Sequence, residues 1–120
     1  MKDIKTFDLY KYGKKYSIQL EVCTYTDGNL AIAMTLWEDG EPEPWNILTV
    51  NLYGIREKNC AFIDTNNNGQ DILKWIDEYN LGTPTGCIQR SGYCEYPEYR
   101  FSEEVLKQID AEGYAVYLRK

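Results

Sequence analysis

Residues 64–75 read DTNNNGQDILKW, and the first half of that run carries oxygen-bearing side chains at the spacing of a calcium loop. Asp64, Asn66 and Asn68 fall at its first, third and fifth positions, and Gly69 falls at the sixth, where an EF-hand turns sharply. Such a loop also needs a bidentate glutamate at its twelfth position, which here is Trp75. The preceding AFI reads as strand where an EF-hand has a helix. The run therefore reads first as a strand-to-helix joint, because Asn tolerates turn conformations and caps helix amides while Gly69 frees the backbone. Calcium at 64–69 is the lesser alternative, and no cofactor is expected.

The 120 residues include no histidine. That removes Ser-His-Asp and Cys-His nucleophiles, His-ligated metals and the usual proton carrier near neutral pH. What remains for chemistry gathers in residues 87–101, CIQRSGYCEYPEYRF, where Arg90, Glu95 and Arg100 could line a small-molecule site. Cys94 could act there as a nucleophile if an arginine lowered its pKa, but no general base of the ordinary kind accompanies it. Asp77 and Glu78 are neighbours on a helical stretch and diverge. A non-enzymatic protein is expected, with a ligand binder or enzyme at 87–101 as the alternative.

Cys23, Cys60, Cys87 and Cys94 form no CxxC pair and read as free thiols. The opening MKDIKTFDLYK has no apolar leader segment and no stretch is long enough to span a bilayer, so a cytoplasmic chain without membrane contact is expected. Net charge is −6 and unevenly placed. Residues 1–15 carry Lys2, Lys5, Lys11, Lys14 and Lys15 against Asp3 and Asp8, whereas residues 16–55 hold no Lys or Arg and six acids: Glu21, Asp27, Glu38, Asp39, Glu41 and Glu43. Such a stretch repels phosphate backbones, which disfavours direct nucleic-acid binding, and attracts basic protein surfaces. Tyr93, Tyr96 and Tyr99, clustered around Pro97, are a second candidate surface.

The elements that would carry these groups start with three antiparallel strands, FDLYKY, YSIQLEVCTY and LAIAMTLWE, joined by turns at GKK and DGN. In the second, Tyr16, Ile18, Leu20 and Val22 share one face; in the third, Leu30, Ile32, Met34 and Leu36 do, opposite Ala31, Ala33, Thr35 and Trp37. EDGEPEP reads as an exposed loop, NILTVNLY as a fourth strand and CAFID as a short fifth. Residues 70–79 take helical period. A second helix starts at Ser102, which can cap free amides ahead of Glu103 and Glu104, and Gly113 is its natural stop, with YAVYL as a last strand. Residues 81–101 between the helices read as a long aromatic loop. The fold class is α+β, one domain over 1–120, with a mainly antiparallel sheet of about five to six strands and two helices on one face.

In the order GNLAIAM, FIDTN, LGTPTG and SGYCEYPEYRF, the chain resembles a family of small uncharacterised bacterial domains, a domain of unknown function carried on plasmids and conjugative elements of gut bacteria. The likeness runs from about the second strand to the second helix and is most specific between PTG and YPEYRF. The triple Asn departs from the pattern after FIDTN. The resemblance supplies no catalytic residues; it implies an accessory protein of a mobile genetic element, of the kind that antagonises host defences by occupying nucleic-acid-binding surfaces. Taken with the charge layout, the expected partner is a basic protein, met through Glu38, Asp39, Glu41 and Glu43 or through the tyrosines. The chain itself is expected as a monomer, or as a homodimer paired through an exposed strand edge.

Overall fold

A computed structural model describes residues 5–119; Lys2 and Asp3 of the N-terminal charge group lie outside them. The first sheet is a meander in chain order, β1 (Phe7–Lys11), β2 (Lys14–Thr24), β3 (Leu30–Glu38) and β4 (Glu41–Ile47). Two of its turns are two-residue loops, Tyr12-Gly13 and Asp39-Gly40, with φ of 53° and 71° and of 54° and 78°. Positive φ at both central positions matches the twist of the flanking strands, so each turn sets the register behind it. Lys11 thus faces Lys14, and Glu38 faces Glu41.

EDGEPEP is therefore a hairpin turn and the start of a strand, where a loop was expected. Its prolines are accommodated by parity. Glu38 and Glu41 flank the turn and exchange hydrogen bonds, so alternate residues from Glu41 aim their backbone groups at β3. Pro42 and Pro44 lie between them and face away, where their missing N–H costs no bond in the sheet.

NILTVNLY is divided between two sheets. β4 ends at Ile47, and Leu48 crosses over, its N–H bonding to Ile32 O at 2.8 Å and its carbonyl accepting from Asp64 N at 2.9 Å. β5 (Thr49–Val50) then joins the second antiparallel sheet, whose order is β5, β6 (Cys60–Ile63), β8 (Cys94–Phe101) and β7 (Gly82–Ser91). Residues 81–101, expected as a loop, are thus mostly a β7–β8 hairpin around Gly92-Tyr93. Pro97 is tolerated inside β8 because its nitrogen faces the β6 side just beyond the last pair there, Phe62 with Glu98. The Tyr96-Pro97 bond is trans.

Among the described residues there are three helices: α1 (Thr65–Asn68), a single turn; α2 (Ile72–Glu78); and α3 (Glu103–Leu118). Ser102 caps α3 as its sequence suggests, its Oγ accepting from Val105 N at 3.1 Å. Gly113 does not stop the helix and YAVYL is not a strand. Tyr114 and Tyr117 are both buried, a three-residue spacing that one helix face satisfies and a strand would split. One core unites Ile18, Leu20, Ile32 and Met34 of the first sheet with Ile63 and Phe101 of the second and with Ile72, Ile76, Leu106 and Tyr117 of the helices. The result is an α+β fold of two antiparallel sheets and three helices, in place of one sheet and two.

Helices also close strand edges. Asp8, whose backbone faces outward from β1, donates its N–H to the Tyr79 hydroxyl at 3.1 Å and accepts the Trp75 indole N–H on its carbonyl at 2.9 Å. β2 outruns β1, and α3 covers the overhang: Val22 N donates to Asp110 Oδ2 at 3.0 Å, at a kink where Asp110 leaves helical geometry. The same carboxylate takes Gly113 N on Oδ1 at 3.0 Å.

Candidate functional site

The main recess lies where the first sheet hands the chain to the second. Leu20, Val22, Ile32 and Met34 point into the core, so the alternate residues Glu21, Ala33 and Thr35 stand on the opposite face. The β3–β4 register shifts between Ala33 and Thr35, β4 leaves the sheet, and the small side chains leave a hollow beneath it. The cleft measures about 850 Å³. β4 lines it with Pro42 to Ile47, β5 and its flank with Thr49, Val50 and Asn51, the β2–β3 connection with Tyr25, and the 64–69 joint with Asp64 and Asn67.

Its charge is of one sign. Glu21, Glu43 and Asp64 line the cleft, and among the described residues no lysine or arginine does. Glu21 Oε1 accepts from Thr35 Oγ1 at 3.0 Å, which orients the carboxylate across the strand pair. Asp64 is buried, and both of its oxygens are engaged by Asn67, the N–H at 3.0 Å and the side-chain amide at 2.8 Å. Tyr25 hydrogen-bonds Thr49 at the hydroxyl (3.0 Å) and the carbonyl (3.2 Å), and burial pushes its phenol pKa up from the ordinary tyrosine value. Next to the cleft, sharing Asn51 with it, Asp27 is held below the usual carboxylate range, first by the Asn51 amide and then by the backbone N–H of Asn29. Asn29 ties the corner together, its Nδ2 reaching Asp27, Asn51 and Gly54. Apolar walls, fixed carboxylates and aromatic surface suit a cation carried on an apolar stem.

The structure separates the residues singled out by sequence. Asp64 is the N-cap of α1, Asn66 is exposed, and the Asn68 amide donates to the carbonyls of Ile47 (3.0 Å) and Asp64 (2.9 Å), the geometry of a strand-to-helix joint. Among the described residues no group of three or more acids or cysteines is arranged around a metal position. Arg90 and Glu95 oppose each other near the tip of the β7–β8 hairpin, whereas Arg100 lies at its base, paired with Glu57 at 2.9 Å. The tyrosines divide likewise: Tyr93 is fully exposed at the tip, while Tyr96 and Tyr99 are buried. Cys94 is half-buried beside Tyr96, whose hydroxyl it raises in pKa. Glu38, Asp39, Glu41 and Glu43 are all exposed on the β3–β4 hairpin, with Glu38 3.7 Å from Lys14 across the sheet end.

Glu21, Tyr25, Thr49 and Asn51 were missed by sequence reasoning. The available signal was the outward row Ala31, Ala33, Thr35, small residues where a covered sheet face would carry bulk. No helix among the described residues is long and apolar enough to cross a membrane.

The fold and its recess define a small α+β domain of two linked antiparallel sheets with an acidic cleft between them. Residues 19–120 match the family described as Domain of unknown function (DUF4313), and the chain belongs to that family. No curated protein and no solved structure matches it.

Proposed function

We propose that the protein binds a basic segment of a partner protein in the acidic cleft and acts by that binding, without catalysis. The observation that carries this reading is the lining itself: three carboxylates with Trp45, Tyr25, Pro44 and Ile47, and no basic side chain among the described residues. A lysine-rich segment would lay its methylene stems on the apolar walls and its ammonium groups against Glu21 and Glu43. Glu38, Asp39 and Glu41 extend the negative field outward on the adjoining hairpin and speed encounter at low salt. A basic, nucleic-acid-binding host protein fits such a site, which agrees with the accessory role on a mobile element suggested by the resemblance. Four free thiols fit action in a reducing compartment such as the cytoplasm.

The test is calorimetric titration with an alternating Lys-Leu peptide and its Glu-Leu counterpart, at low and high salt. The basic peptide should bind and weaken with salt, and Glu21→Lys with Glu43→Lys should cost about tenfold or more in affinity while circular dichroism stays unchanged. Equal binding of the two peptides, or an unaffected double variant, would refute the reading.

A further inference from the structure

Almost every sheet edge in this molecule is closed by an identifiable device. On β1, Asp8 is claimed by Tyr79 and Trp75, and the other outward residue, Tyr10, sits beside Lys11, Lys14 and Lys15, charges that discourage strand addition. The β2 overhang is covered by α3 through Asp110. On β4, Pro42 and Pro44 remove two outward donors, and the Ile47 carbonyl takes the Asn68 amide at 3.0 Å. The short β5 is turned toward β3 and Tyr25, with Thr49 Oγ1 accepting from Ile32 N at 3.2 Å and the Thr49 carbonyl from the Tyr25 hydroxyl.

Among the described residues, no such device closes the end of β7. Gly92-Tyr93 is a two-residue turn, so Ser91 and Cys94 exchange hydrogen bonds and Gln89 pairs inward with Tyr96. By the same alternation, the N–H and C=O groups of Ile88 and Arg90 point away from β8. Pro84 and the register break after it, with Gly86 at φ 93°, restrict the usable edge to residues 88–91. Exposed apolar side chains accompany it: Ile88 is 64% exposed, Tyr93 at the turn fully so, and Tyr53 and Ile55 share with Ile88 a depression of about 420 Å³.

We propose that this edge pairs antiparallel with the same edge of a second copy, in the two-fold register that sets Ile88 opposite Arg90 of the partner and Gln89 opposite Gln89 of the partner. Only this centring matches outward backbone groups with outward backbone groups on both sides while keeping clear of the Gly86 bulge. No like charges then face each other across the new pair, and each Ile88 lies against the stem of an arginine. A second copy is favoured over a foreign strand because the edge is self-complementary. Full cover of Tyr53, Ile55, Ile88 and Tyr93 would bury roughly 600 Å² per copy, below the roughly 800 Å² of a standard interface, so the dimer is reversible and in the micromolar range or weaker. This inference is independent of the cleft, which lies on the other side of the sheet order.

Sedimentation velocity on the full chain over a concentration series tests it, together with amide exchange. A monomer–dimer equilibrium is expected, with the Ile88 and Arg90 amides exchanging more slowly as concentration rises. Ile88→Lys sets like charges opposite each other and Ile88→Glu sets opposite ones, so the two dissociation constants should differ by about tenfold, the symmetric pair counting each effect twice. Arg90→Pro deletes an outward donor and leaves the β8 ladder intact, and should yield a monomer. A protein monomeric at about 1 mM, far above the range given by the interface area, overturns the proposal. So does a Lys and Glu pair of equal effect, a measurement that stands even if Arg90→Pro fails to fold.

Discussion

Replacing Gly113 by alanine should destabilise this protein, although helix propensity argues the reverse. In an exposed helix interior the change gains about 1 kcal/mol, because alanine loses less backbone freedom on folding. Here a Cβ at residue 113 would run into the Val22 carbonyl and into the Asp110 carboxylate, the group that holds α3 on β2. Backbone cannot yield as a flexible side-chain tip can, so overpacking of about 1 to 3 kcal/mol is expected. Displacing Asp110 also strips Val22 N of its acceptor, another 1 to 3 kcal/mol or so for a donor left buried. After the propensity gain the net loss is roughly 1 to 5 kcal/mol, the middle of which lowers Tm by about 10 °C for a domain of this size. Urea unfolding followed by circular dichroism should show a lower midpoint at unchanged slope. Asp110→Ala should cost a similar amount, and the double variant less than the sum, because both changes break one joint. A Tm equal to or above the parent's would show that α3 does not approach β2 as described.

Glu43→Lys alone should slow association of a basic peptide and flatten its salt dependence, measured by stopped-flow fluorescence. Tyr79→Phe leaves the Asp8 N–H without its hydroxyl acceptor and should lower stability by about 1 kcal/mol, read from denaturant midpoints. Asp27 has a folded pKa below the ordinary value, so its contribution is complete above about pH 4 and is lost as pH falls through the depressed folded value; Asp27→Asn should flatten the acid limb of a stability–pH curve. Burial raises the folded pKa of Tyr25, Tyr99 and Tyr117, so their contribution is whole below about pH 10 and declines above it, visible as alkaline unfolding coupled to tyrosinate absorbance. Pro42→Thr with Pro44→Thr restores outward donors on β4 and should produce salt-insensitive self-association by light scattering where the parent shows less.

Strands with one buried face were legible because alternation is local: Ile18, Leu20 and Val22 declare their side whatever lies across from them. The Ser102 cap and the 70–79 helix were legible for the same reason. Proline and glycine misled where their meaning depended on partners. Pro42, Pro44 and Pro97 suggested loops, yet the nitrogens of the first two face away from β3 and that of Pro97 lies just past the last β6–β8 pair, facts that exist only once register is fixed. Gly113 looked like a helix stop and is a point of close approach. YAVYL has strand composition, and the burial of Tyr114 and Tyr117 on one helix face overrode it. The acidic run at 38–43 was visible, but the cleft beside it was not, because Glu21, Thr49 and Asp64 meet only after Leu48 crosses between sheets.

β2 spans 11 residues and β1 only 5, and the uncovered length is completed by a helix beginning at Glu103. During synthesis, at about 5 to 20 residues per second, the meander therefore emerges early with a raw flank that stays open for seconds until that helix has left the ribosome. Nascent chains of this protein should lean on holding chaperones late, and truncations ahead of that helix should be captured by them.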